Sequence, residues 1–181
     1  MAVKTFTTGE VLTAADTNTY LNNGGLVYIK SQTIGTAVAS QAVTNAFSAN
    51  FDNYKIVVQG GSASTSAGYL TLQLGSTVAN YRFDYIFGNL AGTLGSVGSV
   101  GSANFPYVGF KSGSLMASIE VVGAYTASMT MIFCPAGQTG NNMGPFTGVQ
   151  IDATSFTGFT IGASTGTMTG GTITVYGYRK A

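Results

Sequence analysis

Apolar and polar residues alternate with a period of two along most of the chain from Leu26 onward. In Tyr54-Lys55-Ile56-Val57-Val58-Gln59, residues Tyr54, Ile56 and Val58 share one face. Leu70, Leu72 and Leu74 alternate with Thr71 and Gln73, and Tyr81, Phe83, Tyr85 and Phe87 with Arg82, Asp84 and Ile86. Met129, Met131 and Phe133, then Ile173 and Val175, repeat the rhythm. Successive side chains of a strand point to opposite faces, so the pattern predicts half-buried strands. About eleven are expected, near 26–33, 42–47, 54–60, 68–74, 78–87, 105–111, 116–122, 128–134, 147–152, 157–162 and 171–178. No helical period survives between them, which removes βαβ units and leaves an antiparallel sandwich or barrel. Three stretches read as loops: 62–68, the Gly/Ser-rich 89–104, and 135–145.

Residues 1–25 have a different texture and form a separate segment before a β-domain at 26–181. Thr13-Ala14-Ala15-Asp16 resembles a capping box, predicting a short helix over 14–22 that Asn23-Gly24-Gly25 ends. So short a helix is marginal alone in water. Phe6, Val11, Leu12, Tyr20 and Leu21 therefore need an apolar partner, either the following domain or another chain.

Composition changes the picture in two ways. Charged residues make up only 7% of the 181, with a net charge of +1, while 26 residues are glycine, 16 serine and 25 threonine. Ordinary domains carry roughly 25% charge. Seven cations are too few for a nucleic-acid interface, and no nucleic-acid partner is expected. The chain has no histidine, so Ser-His-Asp and Cys-His catalysis and His-ligated metal sites are excluded. The one cysteine, Cys134, lies in an apolar run and reads as a small buried hydrophobe. The acids are Glu10, Asp16, Asp52, Asp84, Glu120 and Asp152, and no spacing favours a glycosidase pair. No cofactor, metal or catalytic residue is expected. Apolar runs are too interrupted to span a membrane, and residues 1–7 lack the apolar core of a secretory signal.

Second, a surface this poor in charge favours association. Five cations over residues 26–179 are thin protection for the edges of so many strands, and burial against identical neighbours is the economical solution. Arg82 and Asp84 share a strand face and read either as a surface ion pair or as a pair between subunits. Tyr176 and Tyr178, on the polar face of the last strand, suit the same interface. The aromatic stripe on the strand of Arg82 reads as core or as a stacking surface for sugar.

Residues Lys4 to Leu21, with Phe51-Asp52-Asn53-Tyr54-Lys55-Ile56 and Gly170 to Lys180, resemble virion proteins of tailed bacteriophages, of the tail-fibre and minor-tail type. The resemblance implies a non-enzymatic, trimeric structural protein located in the virion and assembled in the host cytoplasm. It implies a jelly-roll-like sandwich behind an attachment segment, residues 1–25, that binds another virion protein. A short tail-fibre or tail-tip protein contacting the host is the first expectation, with a host-surface glycan as partner. A capsid decoration or head-fibre protein is the second, and a carbohydrate-binding module the third. Strand parity puts 34–41, 60–67, 88–104, 123–127 and 153–156 at the end away from the attachment segment. Asn89, Ser96, Ser99, Ser102, Asn104 and Tyr107 are the candidate receptor-facing residues.

Overall fold

A computed structural model describes residues 7–11, 13–16, 25–89, 91–138 and 142–180. Its strands are β1 (Leu26–Thr33), β2 (Ser40–Val43), β3 (Phe51–Gly60), β4 (Ser62–Ala63), β5 (Leu70–Leu74), β6 (Tyr81–Asn89) and β7 (Leu94–Ser102). They continue as β8 (Phe105–Ser112), β9 (Ser114–Val122), β10 (Thr130–Gln138), β11 (Asn142–Gln150), β12 (Phe159–Ala163), β13 (Met168–Thr169) and β14 (Thr172–Arg179). Each of the eleven expected strands has its counterpart. β4, β7 and β13 are additional, and β10 and β11 absorb nearly all of the expected loop 135–145. α1 (Ala14–Asp16) spans only three residues, so the helix expected over 14–22 is not shown. The rest of the expected helix lies outside the described residues.

Two sheets form an antiparallel sandwich. One runs β1-β14-β3-β9 and the other β2-β12-β5-β8, which is the strand order of a jelly roll. Two hairpins are inserted into this plan, β6–β7 and β10–β11. They add to the free side of β9 in the order β9-β10-β11-β6-β7 and broaden the first sheet into a curled, wider one. The tight β8–β9 turn joins the sheets through Phe110↔Met116 and Ser112↔Ser114.

The core lies between the sheets. Tyr54, Ile56 and Val58 of β3 and Leu70, Leu72 and Leu74 of β5 are buried, as their alternation predicts, against Phe105, Leu115, Ile119, Ile161 and Val175. On β10 the set that holds Cys134 is the buried one. Thr130, Ile132, Cys134 and Ala136 face inward, while Met129, Met131 and Phe133 are 61%, 39% and 42% exposed. Both sets of alternating positions on β10 contain large or apolar residues, so periodicity alone did not choose the face. Cys134 is buried as expected, and burial pushes its thiol up to about 12.

Many strand glycines are there to admit aromatic rings. A Cβ on Gly148 of β11 would stand 2.5 Å from the Phe105 ring and 3.0 Å from that of Phe146. A Cβ on Gly177 of β14 would overlap the Phe51 ring, and one on Gly137 of β10 would overlap Phe110. Where β3 ends and β14 begins, Gly60, Gly61, Gly170 and Gly171 all take positive φ, and a Cβ on Gly61 would collide with the Gly170 carbonyl. Only glycine fits that corner without strain.

The loops gather at two ends. At one, Val38 bridges Met168, Gly170 N–H donates to Gly35 O (3.2 Å) and Ser64 N–H donates to Thr167 O (2.9 Å). At the other, Ala46 N–H donates to Thr157 O (2.8 Å), Gly75 N–H to Gly158 O (2.9 Å) and Phe156 N–H to Ala124 O (2.8 Å). β1 begins and β14 finishes at this second end, where Arg179 N–H donates to Gly25 O (3.2 Å). Residues 34–41, 60–67 and the tip of the β6–β7 hairpin thus lie at the end away from the N-terminal segment. Residues 123–127 and 153–156 lie at the opposite end, contrary to the parity count, because β7, one strand beyond those expected, reverses the direction of every later strand.

Replacing Gly148 by alanine is expected to lower stability by about 1–3 kcal/mol through overpacking. Gly101→Ala, with nothing within 4 Å of the new Cβ, is expected to stay within about 0.5 kcal/mol of the parent. Thermal unfolding of the two variants checks the pair.

Candidate functional site

The stretch expected as the receptor-facing loop is largely strand. β7 pairs with β6 from Gly88↔Leu94 to Tyr81↔Ser102, with a bulge between Tyr81 and Phe83. Its Gly-Ser-Val triplets repeat every three residues, so they show no period of two; backbone pairing, not side-chain burial, makes this segment a strand. Asn89 is occupied in the hairpin turn, where its Oδ1 accepts from Thr93 N–H (2.8 Å). Ser96 lies opposite Ile86 and faces outward. Ser99, opposite Phe83, and Ser102, opposite Tyr81, face the other way.

Ser99 and Ser102 line a cleft with Asn104 and Tyr107, so four of the six candidate residues come together. A bulge in the β5–β8 ladder, between Leu70↔Gly109 and Leu72↔Phe105, sets the position of Tyr107. Tyr107 has φ +59°, a region that bulky residues rarely enter. Its ring lies 4.0 Å from that of Tyr69, 4.9 Å from Tyr85 and 6.3 Å from Phe83, centroid to centroid. The cleft holds about 440 Å³ where β7 approaches β5 and β8, and none of its lining side chains is charged. Burial first, then the charge and hydrogen bond of Tyr107, raise the pKa of Tyr69. Alternation on β6 signalled the aromatics, but nothing in the sequence signalled Tyr69 as the partner of Tyr107.

A second concavity of about 700 Å³ opens on the outer face, where β10 parts from β9. Their pairing is confined to Met131↔Val122, Ile132↔Val121 and Phe133↔Glu120. Pro135 follows, with no N–H to continue the ladder. Phe110, Phe133, Pro135, Met143 and Pro145 supply apolar walls, and Lys55 and Glu120 close one side. Lys55 Nζ donates to Glu120 Oε1 (2.5 Å) and the Tyr178 hydroxyl to Glu120 Oε2 (2.6 Å). The bond to Glu120, then burial and the carboxylate's charge, push the Tyr178 hydroxyl up to about 12.

The expected interface residues share the outer face of the wide sheet but do not cluster. Tyr176, Lys55, Glu120, Phe133, Thr147 and Asp84 form one row across neighbouring strands. Five strand spacings of about 4.8 Å separate β14 from β6, some 24 Å. Arg82 and Asp84 are exposed, and no ion pair joins them among the described residues. Tyr178 is bonded within its own chain, and Tyr176 meets Tyr28 edge to face at 6.2 Å. Of the attachment residues, Val11 is 80% exposed; Phe6, Leu12, Tyr20 and Leu21 lie outside the described residues.

Acid–base chemistry finds little to work with. Asp84 and Glu120 stand three strand spacings apart, about 14 Å, beyond the two-carboxylate geometry of glycosidases. Asp152 accepts from Asn80 (2.8 Å) and Gln150 (2.6 Å), and Asp52 pairs with Lys180 (2.7 Å). Among the described residues no three His, Cys, Asp or Glu side chains gather as a metal site, and no helix is long and apolar enough to cross a membrane. Comparison with models of known protein families and with curated protein sequences finds no match.

Tyr81, fully buried and pushed up to about 12 mainly by burial, and Tyr178 are expected to ionise last in an alkaline titration. Their folded pKa values lie above the unfolded value of 10.0. The stability they contribute is therefore whole below pH 10 and lost as the pH rises toward 12. Glu120→Gln is expected to bring the Tyr178 transition down and leave Tyr81 in place, as read from tyrosinate absorbance.

Proposed function

We propose that the chain is a non-enzymatic structural protein of a tailed-bacteriophage particle, a short trimeric tail-fibre or tail-tip protein whose jelly roll contacts the host. The observation that carries the reading is the apolar outer face of the broadened sheet. Val122, Met131, Phe133, Met143 and Ile86 stand there between 39% and 53% exposed, on four adjacent strands. A contiguous apolar surface of this kind marks an interface, and a chain with 7% charge has little else to keep it apart from its copies. The number three and the virion setting come from the resemblance of the chain's two ends and of residues 51–56 to phage virion proteins. Of the N-terminal segment, residues 7–11 and 13–15 are exposed. That suits attachment of residues 1–25 to another virion protein.

Light scattering of the purified protein is expected to read three times 18.5 kDa, and Phe133→Asp to shift it toward the monomer. Antibody against the protein is expected to label the tail tip. A stable monomer of the parent protein removes the trimer, and label confined to the capsid replaces a tail protein with a decoration protein.

A further inference from the structure

We propose that the cleft between β7 and the β5–β8 ladder binds an uncharged saccharide. The proposal deepens the host-contact reading and rests on it only for where the saccharide comes from. A sugar ring has apolar C–H faces and a girdle of hydroxyls, so its site needs an accessible aromatic surface beside neutral donors and acceptors. This cleft offers the half-buried rings of Tyr69 and Tyr107 beside neutral polar groups. Tyr69 and Tyr107 form an aromatic pair 4.0 Å apart, and both rings line the cavity. Ser99, Ser102, Thr71 and the Asn104 amide surround them.

The absence of any lining charge selects against phosphorylated, sulfated and acidic sugars, which would enter without a counter-charge. A volume of about 440 Å³ falls in the range of small-molecule sites, about 300–1,000 Å³. Tyr107 reaches the cleft only through the β8 bulge and its positive φ, a conformation that opposes an aromatic side chain. Tyr69 borders the 62–69 and 164–171 loops, at the end away from the N-terminal segment. The larger groove beside β10 differs in kind. Its walls are largely Phe, Met and Pro, and the Lys55–Glu120 ion pair on one side gives it a charge that the cleft lacks.

The test titrates the full-length protein with maltotriose, cellotriose and chitotriose, and with sialyllactose as the acidic control, by calorimetry. At least one neutral trisaccharide is expected to bind with a millimolar or tighter Kd. Tyr107→Gly, which suits the positive φ and removes the ring, is expected to weaken binding at least about tenfold. Asn104→Ala at the rim weakens it less, and Val100→Ala, outside the cleft, leaves it unchanged. Should Tyr107→Gly fail to fold, amide resonances of Ser99, Ser102 and Asn104 in the parent protein carry the test, and they are expected to shift on titration. No binding by any neutral trisaccharide, binding by sialyllactose alone, unchanged affinity in both cleft variants, or resonance shifts elsewhere would each overturn the site. Antibody labelling separates the two readings: saccharide binding by a protein absent from the tail leaves the cleft standing and removes the tail assignment.

Discussion

β9 is bonded to β3 along its whole length, from Gly60↔Leu115 to Asn53↔Val122, and divides its other edge between two partners. Its first residues hold the end of β8, and its last three hold β10. Two residues make the handover physically possible. Gly109 lets β8 cross close to β9 on its way into the second sheet, since a Cβ there would stand 2.5 Å from the Met116 carbonyl. Pro135 ends the ladder between β9 and β10, because it has no N–H to donate. If β8 stayed paired along all of β9, the inserted hairpins would have no edge to join. Both concavities follow from the handover: one where β10 departs, the other where the broadened sheet curls round to bring β7 near β5 and β8.

The broadening also accounts for the uneven surface. The β1–β14–β3 side of the outer face is polar, with Ser31, Lys55 and the Tyr28–Tyr176 contact. The hairpin side carries Met131, Phe133, Met143, Pro145 and Ile86. β7 ends the sheet without a lysine, a proline or any charge, the usual protections of a strand edge. In the proposed assembly, identical neighbours cover the hairpin side, while the cleft of Tyr69 and Tyr107 remains open to solvent. The two surfaces divide the labour by chemistry, an apolar face for protein and a neutral aromatic cleft for a small polar ligand.

Alternation located most strands because their side chains divide between core and solvent. Tyr54, Ile56 and Val58, or Leu70, Leu72 and Leu74, had one physically acceptable orientation. β7 escaped because its identity as a strand lies in its hydrogen bonds to β6, and glycine and serine leave no side-chain signature of such pairing. β10 was located, but its alternation did not choose a face, since Ile132 and Cys134 compete with Met131 and Phe133 for the core. Four of the candidate cleft residues were legible as a polar, aromatic-flanked stretch. Tyr69 and Thr71, some thirty positions earlier, were not.

By itself, then, the sequence determined the all-β class, the positions of the alternating strands and the scarcity of charge that bears on association. These are local or compositional properties, set by a period of two and by the cost of burying polar groups. Tertiary structure alone decided which face of β10 looks outward, which loops share an end, and that Tyr69 meets Tyr107. Those outcomes depend on the handover at β9, where non-adjacent segments compete for the same backbone hydrogen bonds, and no local pattern encodes the winner.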